Sequence, residues 1–212
     1  MNLKYRSASM KLLVRPPKIL RSLYKDSIWR MDKTQQTIYL TFDDGPIPEL
    51  TPWVLDVLHS FNIKATFFCV GENIQKNPEI FSRIITEGHQ IGNHTYNHLK
   101  GWQTKTRDYL VNVEKCQVLT KTDLFRPPYG RIGRKQYKVL SQKYKMIFWD
   151  VLSYDYDKFT NPVKCLENSI KFTQNGSIIV FHDNIKAKDN LKYALPHYID
   201  YFLKLNYTFV IL

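Results

Sequence analysis

The sequence has few cysteines, no long apolar run and no low-complexity linker. It contains three cysteines, Cys69, Cys116 and Cys165. Their odd number and unpaired spacing favour reduced thiols, as in a cytoplasm. No stretch is apolar for long enough to span a membrane, and the apolar run at residues 12–14 is too short for a secretory signal. Without a Gly/Ser linker or a repeat, the 212 residues predict one domain with a single substantial core.

Acidic residues are also few in comparison with basic ones. Asp and Glu number 19 against 31 Lys and Arg, which gives a formal net charge of +12. Such an excess favours acidic partners of some kind. No nucleic-acid-binding motif accompanies it, so we expect no nucleic-acid partner. A basic nucleic-acid-binding protein is the non-enzymatic alternative.

The basic excess is concentrated in residues 1–33, which hold nine Lys or Arg against two Asp. An apolar stripe runs through the same segment: Ile19, Leu20, Leu23 and Tyr24. We interpret residues 1–36 as a basic extension whose stripe packs on a domain formed by residues 37–212. The alternative for this segment is contact with an anionic membrane or an acidic glycan. We expect the protein in the cytoplasm or at the inner membrane face.

An apolar run ends on two adjacent carboxylates at residues 41–46, Thr-Phe-Asp-Asp-Gly-Pro. The run has the pattern of a strand, and Gly-Pro ends it. Neighbouring carboxylates repel each other unless a metal ion or an arginine compensates them. Asp43 and Asp44 are therefore candidates for a site, whereas the same Asp-Asp-Gly standing alone is more often a solvated turn.

Two histidines four residues apart, His94 and His98, follow in the chain. If their segment is helical, both imidazoles lie on one face at the spacing that one divalent ion needs. With Asp43 or Asp44 they make a set of two histidines and one carboxylate, which leaves positions open for water and substrate. A pair of surface histidines is the alternative.

Two further segments contain candidate functional residues, one beside a rigid Pro-Pro turn and one at the end of a strand. In residues 125–131, Arg126 precedes two prolines, which have no N–H. Tyr129 and the residues after it are therefore the ones able to offer amide donors to an oxyanion. Residues 177–182 have the pattern of a buried strand that ends on His182.

Short apolar runs alternate with helical patterns along the chain. We predict strands at residues 37–42, 65–70, 146–151, 177–182 and 207–212. We predict helices at residues 51–60, 77–88, 105–121, 162–172 and 189–204. This alternation favours βα units and a parallel sheet, and the candidate polar residues then fall at the carboxyl ends of its strands.

These segments, in this order, resemble the motifs of the polysaccharide deacetylase family, carbohydrate esterase family 4 with its NodB homology domain. The likeness covers residues 37–212 and lies in five motifs at residues 41–46, 94–98, 126–130, 149–156 and 180–182. It implies an α/β fold, a distorted (β/α) barrel of about seven strands. It also implies a metal-dependent hydrolase that removes N-acetyl groups from amino-sugar glycans, such as chitooligosaccharides or peptidoglycan.

The resemblance also implies roles for individual residues. One divalent ion, Zn²⁺ in the first place with Co²⁺ or Ni²⁺ as alternatives, would be bound by Asp44, His94 and His98. Asp43 would be the general base, oriented by Arg126. His182 would be the general acid, held by Asp155.

Substrate contacts are implied for Tyr129, Tyr156 and Val180, and the amide of Tyr129 would face the oxyanion. Tyr156 stands where the family commonly has tryptophan, Leu152 where many members are acidic, and Val180 where many have leucine. These departures bear on the substrate and not on the reaction. The alternatives are therefore an O-acetyl esterase acting on an acetylated polysaccharide such as xylan, or a deacylase of a lipid-linked sugar.

Overall fold

The structure, a computed structural model, describes residues 14–212. Its strands are β1 Thr37–Asp43, β2 Thr66–Cys69, β3 Gln90–Asn93, β4 Leu124–Phe125, β5 Lys145–Met146, β6 Val151–Leu152, β7 Ile178–His182 and β8 Thr208–Phe209. Its α-helices are α1 Lys18–Leu23, α2 Thr51–Ser60, α3 Gly71–Lys76, α4 Pro78–Thr86, α5 Thr106–Thr120, α6 Arg134–Leu140, α7 Pro162–Phe172 and α8 Lys188–Lys204. Among the residues that the structure describes, no helix is long and apolar enough to cross a membrane.

Seven strands form one parallel sheet in the order β5-β4-β3-β2-β1-β7-β6, and β8 pairs with the start of β1. The sheet curls into a half-barrel with helices around it, so the predicted fold is confirmed. Because every pairing in the sheet is parallel, the carboxyl ends of the strands meet at one rim. The central strands β1 and β7 are almost entirely buried, as expected of strands covered on both faces.

The larger core cluster joins β1, β2 and β7 to the helices α2, α7 and α8. Phe42 and Phe67 stack there with ring centroids 5.0 Å apart. A second cluster lies around β4, β5 and α5, and it receives Tyr24 and Trp29 from the segment before β1. The first cluster therefore contains the central strands, and the second supports the β4 and β5 end of the sheet.

The segment before β1 runs across the gap between the two ends of the sheet. Ile28 forms a parallel bridge with Ile147, and Arg30 forms an antiparallel bridge with Ser177. In the apolar stripe, Leu20 and Tyr24 contact the second cluster, whereas Ile19 and Leu23 are 73% and 57% exposed. Residues 1–13 lie outside the described part of the chain. The division into an extension and a catalytic domain at residue 37 stays a prediction.

Several elements differ from the sequence prediction. The predicted strand at residues 146–151 is two strands, β5 and β6. They pair with different neighbours, β4 and β7, at opposite ends of the sheet. The strands β3 and β4 and the short helices α3 and α6 were not predicted. These elements have two to seven residues, too few to show a clear hydrophobic period. The terminal strand is limited to Thr208–Phe209.

Candidate active site

The candidate residues come together at the carboxyl rim of the sheet. Eight of them line one cleft with a volume of about 580 Å³: Asp43, Asp44, His94, His98, Tyr129, Tyr156, Val180 and His182. The other two, Arg126 and Asp155, are fully buried behind the cleft and bond to Asp43 and His182. All ten positions therefore belong to one constellation.

Three donor atoms lie close enough to share one ion. Asp44 Oδ1 is 3.0 Å from His98 Nε2 and 3.6 Å from His94 Nε2, and the three atoms lie within 4.8 Å of one another. Ligands at about 2.0–2.1 Å from a tetrahedral Zn²⁺ are roughly 3.3 Å apart. These separations and this donor set therefore fit a divalent metal ion.

The surroundings of His94 keep its imidazole neutral and fix its tautomer. Its Nδ1 is 2.8 Å from the carbonyl oxygen of Arg126. Because a carbonyl only accepts, Nδ1 carries the hydrogen and Nε2 keeps its lone pair on the side of Asp44. Burial lowers the pKa of His94 to about 4, against the opposing charge of Asp43. The imidazole is therefore uncharged at neutral pH.

Asp44 presents one carboxylate oxygen to the histidines and the other to an amide. Its Oδ2 accepts a hydrogen bond from the side chain of Asn184, and its carbonyl oxygen accepts one from Asn73 at 2.8 Å. Burial by itself would raise the pKa of Asp44. The hydrogen bond from His98 and the charge of His182 outweigh burial and hold that pKa well below its ordinary value. Asp44 is thus an anion with a fixed orientation.

Asp43 forms a buried ion pair with Arg126, which has no exposed surface. Nη1 of Arg126 is 2.6 Å from Asp43 Oδ1 and 2.8 Å from the Thr41 hydroxyl, and Nη2 donates to the carbonyl of Phe148 at 3.1 Å. The second oxygen of Asp43 lies 3.9 Å from His94 Nε2. The arginine therefore occupies one oxygen of Asp43 and leaves the other on the side of the metal donors.

His182 is held by both oxygens of Asp155. The backbone nitrogen and Nδ1 of His182 are each 2.7 Å from one of these oxygens. Burial opposes protonation of His182, but the charge and hydrogen bond of Asp155, with the charges of Asp44 and Asp43, raise its pKa to about 9. Tyr156 packs its ring against the imidazole with centroids 4.7 Å apart and planes at 75°. His182 is therefore protonated at neutral pH.

The remaining walls of the cleft are aromatic and apolar. The Tyr129 ring lies 4.6 Å from that of His98. The amides of Gly130 and Arg131 already donate to carbonyls of the Pro-Pro pair at 3.0 and 3.1 Å, so the Tyr129 amide is the remaining candidate for an oxyanion donor in this turn. The apolar part of the lining comes from Val70, Trp149, Leu152, Val180 and Ile185.

The segment that carries His94 and His98 is not a helix but a loop after β3. Thr95 and His98 have φ values of 64° and 54°, in the left-handed region. Asp44 and Tyr129 also have positive φ, at 86° and 59°. Such backbone costs about 1–3 kcal/mol at each non-glycine residue and clusters at functional sites. The two histidines therefore meet through a tight loop and not through a helical turn.

Several residues of the cleft were not singled out from the sequence. They are Glu72, Asn73, Asn97, Lys100, Arg131, Trp149, Asn184, Ile185 and Lys186. Most lie on loops that follow strands, and no spacing or periodicity marks them. Asp183 is also central, because its buried carboxylate accepts from the Gly45 amide at 3.0 Å and from the Thr51 hydroxyl at 2.5 Å. Its place directly after His182 was the only signal in the sequence.

A parallel half-barrel with this donor set and two proton-transfer groups at its carboxyl rim has the parts that a metal-dependent hydrolase needs. Residues 30–146 match the polysaccharide deacetylase family, and the chain belongs to that family. The predicted family and its reaction class, metal-dependent deacetylation of amino-sugar glycans, are thereby confirmed.

Individual relatives agree with this assignment. A peptidoglycan-N-acetylglucosamine deacetylase of Bacillus cereus is 33% identical over 190 residues, which cover 86% of this chain and 89% of the relative. The peptidoglycan-N-acetylmuramic acid deacetylase PdaA of Bacillus subtilis is 34% identical over 197 residues, 87% of this chain and 73% of the relative. A crystal structure of a peptidoglycan N-acetylglucosamine deacetylase superposes with a TM-score of 0.81 at 32% identity, over 91% of this chain and 94% of the other. Some relatives are longer, and the chain spans 55% of a second Bacillus cereus deacetylase.

Proposed function

We propose that this protein removes N-acetyl groups from the amino sugars of a peptidoglycan-like glycan. The observation that carries the proposal is the placement of two proton-transfer groups beside one set of metal donors. Asp43 and His182 are register partners on the neighbouring strands β1 and β7, and both line the cleft that contains the donor set. The peptidoglycan substrates of the relatives support this choice of glycan.

Asp44, His94 and His98 would hold the metal ion, and we propose Zn²⁺, for which two nitrogen donors and one oxygen donor are suitable. When bound, the ion would supply Lewis acidity and lower the pKa of a water molecule. The neutral state of His94 and the anionic state of Asp44 both favour binding of a cation.

Asp43 is the proposed general base. Arg126 occupies Asp43 Oδ1 at 2.6 Å, so the free oxygen is the one that accepts a proton from the attacking water. The ion pair keeps the carboxylate in place, and the fully buried guanidinium has little freedom to move. The water oxygen then bonds to the acetamide carbon.

His182 is the proposed general acid. Nδ1 is committed to Asp155, so Nε2 is the atom that donates to the substrate. With a pKa of about 9, the imidazolium is the dominant form at neutral pH. The proton passes to the sugar nitrogen as its bond to the acetyl carbon breaks, and the products are acetate and a free amino sugar.

The oxyanion and the acetyl methyl need their own contacts. We assign the oxyanion to the amide of Tyr129, which lies in a turn ordered by two prolines. Val180 and Leu152 are buried residues of the lining, and we assign them with Tyr156 to the walls around the acetyl group.

Acetate release from matched substrates tests this function. The metal-loaded protein is incubated with peptidoglycan fragments, N-acetylglucosamine oligomers and O-acetylated xylan. We expect acetate and new free amines from the amino-sugar substrates, and loss of both in the Asp43→Asn variant. Release from acetylated xylan alone would identify an O-acetyl esterase and overturn the proposal.

A further inference from the structure

We propose that the mouth of the cleft binds carboxylates carried by the glycan, through Lys100, Arg131 and Lys186. This inference rests on the proposed function and narrows its substrate to acidic amino-sugar glycans. The three cations line the same cleft as the candidate catalytic residues. They come from three separate segments, after β3, β4 and β7, and all three residues are exposed to solvent.

The acidic groups of the cleft are already compensated. Asp43 is paired with Arg126 at 2.6 Å. Asp44 is assigned to the metal ion with one oxygen and accepts a hydrogen bond from Asn184 with the other. Glu72 pairs with Lys76 at 3.1 Å and accepts a hydrogen bond from Asn97. These three are the only carboxylates in the described lining. The protein therefore provides no neutralising acid inside the cleft for the cations at its mouth.

The three cations themselves have no ion-pair partner among residues 14–212. Aromatic rings support two of them instead. Lys100 Nζ lies 5.3 Å from the centre of the Tyr129 ring, and the Arg131 guanidinium lies 5.4 Å from that of Trp102. Such contacts hold the long side chains while the charged heads stay accessible. Positive charge at the mouth is thus held in place and unneutralised.

Hydrogen bonds fix the ring beneath Arg131 and the backbone of Lys186. Trp102 donates its indole N–H to the Ile132 carbonyl at 2.9 Å, which fixes the ring under Arg131. The amide of Lys186 donates to Asn184 Oδ1 at 2.9 Å. Lys100 lies near the candidate metal site, because the Tyr129 ring that it contacts also contacts the ring of His98.

Carboxylate is the ligand that this arrangement recognises. A guanidinium binds a carboxylate through two parallel hydrogen bonds, and ammonium groups bind it as point charges. A neutral glycan would leave all three charges without a partner. Two sources have the same chemistry, a carboxylate in an ether substituent of the sugar and a carboxylate in a peptide attached to it, and the substrates below separate them.

The test compares carboxylated and neutralised forms of one glycan. Peptidoglycan fragments of equal length are prepared with free carboxylates, with all carboxylates converted to amides, and with the peptides removed. The ratio of kcat/KM for free over amidated substrate measures the preference. We expect a preference of about tenfold that decreases with salt, since exposed ion pairs are each modest and screened.

Variants assign the preference to the cleft. In the triple variant with Lys100→Gln, Arg131→Gln and Lys186→Gln, the ratio is expected to fall about tenfold, to near one. Lys171→Gln, on α7 and outside the cleft lining, is the matched control and should keep the ratio. If the preference for free over amidated substrate persists after the peptides are removed, the recognised carboxylate belongs to the sugar. If the preference disappears when the peptides are removed, the carboxylate belongs to the peptide.

Binding to the Asp43→Asn protein provides a second measurement that needs no turnover. Free and amidated fragments that bind equally, together with equal kcat/KM values, would overturn this inference and leave the proposed function intact. Absence of acetate release from every amino-sugar substrate would overturn the proposed function itself.

A second inference comes from a separate observation, and we infer that Asn184 is a positioning residue for Asp44. The Asn184 amide donates to Asp44 Oδ2, while Oδ1 is the oxygen that faces His94 and His98. Asn184 thus holds the oxygen that the histidines do not face. The side-chain oxygen Oδ1 of Asn184 accepts hydrogen bonds from the backbone amides of Lys186 and Ala187 at 2.9 and 3.2 Å. Asn184 therefore connects the loop after β7 to the carboxylate at the end of β1.

Metal affinity is the measurement that tests this role. Asn184→Ser keeps an acceptor for the two loop amides but is too short to hold the carboxylate. Competition with a chelator should show Zn²⁺ binding about 10- to 100-fold weaker, as for other residues that orient metal ligands. The Tm in EDTA should stay near that of the unchanged protein. Gln142→Ser, at an exposed amide side chain, is the control, and Zn²⁺ affinity within twofold of the unchanged protein in Asn184→Ser would overturn the assignment.

Discussion

Asp155 accepts two hydrogen bonds from His182, one from the backbone N–H and one from Nδ1, each at 2.7 Å. The backbone bond fixes where the residue sits, and the side-chain bond fixes how the ring is turned. Because Asp155 is fully buried, its charge acts on the imidazole with little screening by water. One carboxylate thus sets the position, the tautomer and the proton affinity of the proposed acid.

The first prediction concerns the pH profile. The proposed mechanism requires protonated His182, so activity should fall as pH rises through about 9. In Asp155→Asn the favourable charge is lost and burial dominates, which should move this alkaline limb towards or below pH 6.5, the ordinary value. Measuring kcat/KM from pH 5 to 10 checks the shift. An unchanged alkaline limb would exclude His182 as the titrating acid.

The first prediction has a second readout, the thermal stability of the protein. Because the pKa of His182 is raised from 6.5 to about 9 in the folded protein, its contribution is complete below pH 6.5 and is lost as pH rises through 9. The Tm difference between the unchanged protein and Asp155→Asn should therefore be largest at pH 6 and shrink towards pH 9.5. Thermal unfolding at a series of pH values measures this difference, and a Tm difference independent of pH would contradict it.

The metal site gives the second prediction. His94→Ala or His98→Ala removes one of three donors, so each variant should lose most of its bound divalent ion. Metal analysis should give one divalent ion per chain in the unchanged protein and little metal in either variant. EDTA should lower the Tm of the unchanged protein and leave that of either variant almost constant. Full occupancy in both variants would refute the ligand assignment.

Asp43→Asn is the third prediction and separates the base from the ligands. The amide cannot accept the proton from water, so kcat should fall by roughly 10²- to 10⁴-fold. The ion should remain, because Asp44 and both histidines are intact. Zinc content and kcat measured on the same sample check both parts, and loss of the ion together with activity would place Asp43 among the ligands.

Arg126→Lys gives the fourth prediction. Lysine keeps the charge but cannot reproduce the bonds to Asp43, Thr41 and Phe148. We expect kcat/KM to fall by about 10²-fold, with a Tm lowered by a few degrees because buried carbonyls lose their donors. Arg83→Lys, at a partly exposed surface arginine, is the control. Turnover close to that of the unchanged protein would show that Arg126 does not position the base.

The fifth prediction concerns Asp150, which anchors the segment before β1. Its buried carboxylate accepts from Arg21 at 2.8 Å, Arg15 at 3.2 Å and Ser177 at 2.7 Å. Asp150→Ala leaves these donors unpaired, but both arginines are partly exposed and regain water. The free energy of unfolding should fall by about 2 kcal/mol, or roughly 4–8 °C in Tm. A Tm within 1 °C of the unchanged protein would show that this anchor is not needed.

Much of the fold could be predicted because the central elements carry strong local signals. β1 and β7 are buried apolar runs, and α2 and α7 begin with proline in the first turn. The resemblance of five motifs to the polysaccharide deacetylase family implied the ten site residues, and their roles stay proposals. The membrane contact and the cellular location expected from the sequence also stay predictions.

The rest depended on tertiary geometry. His94 and His98 have helical spacing, yet a residue in the left-handed region bends the loop between them, and no sequence period shows that. Asn184, Lys100 and Arg131 come from loops far apart in the chain, and only the curled sheet brings them to one opening.

The register between β1 and β7 has a consequence for how this enzyme family can diversify. Asp43 is paired with His182 in that ladder, and adjacent strands lie about 4.8 Å apart. The separation between the backbones of Asp43 and His182, between which the substrate amide must fit, is therefore set by the hydrogen-bonding ladder of the sheet. The loops carrying Lys100 and Arg131 have no part in that ladder. A loop grafted from a relative can accordingly alter which sugar enters, while the reacting distance stays that of the host protein.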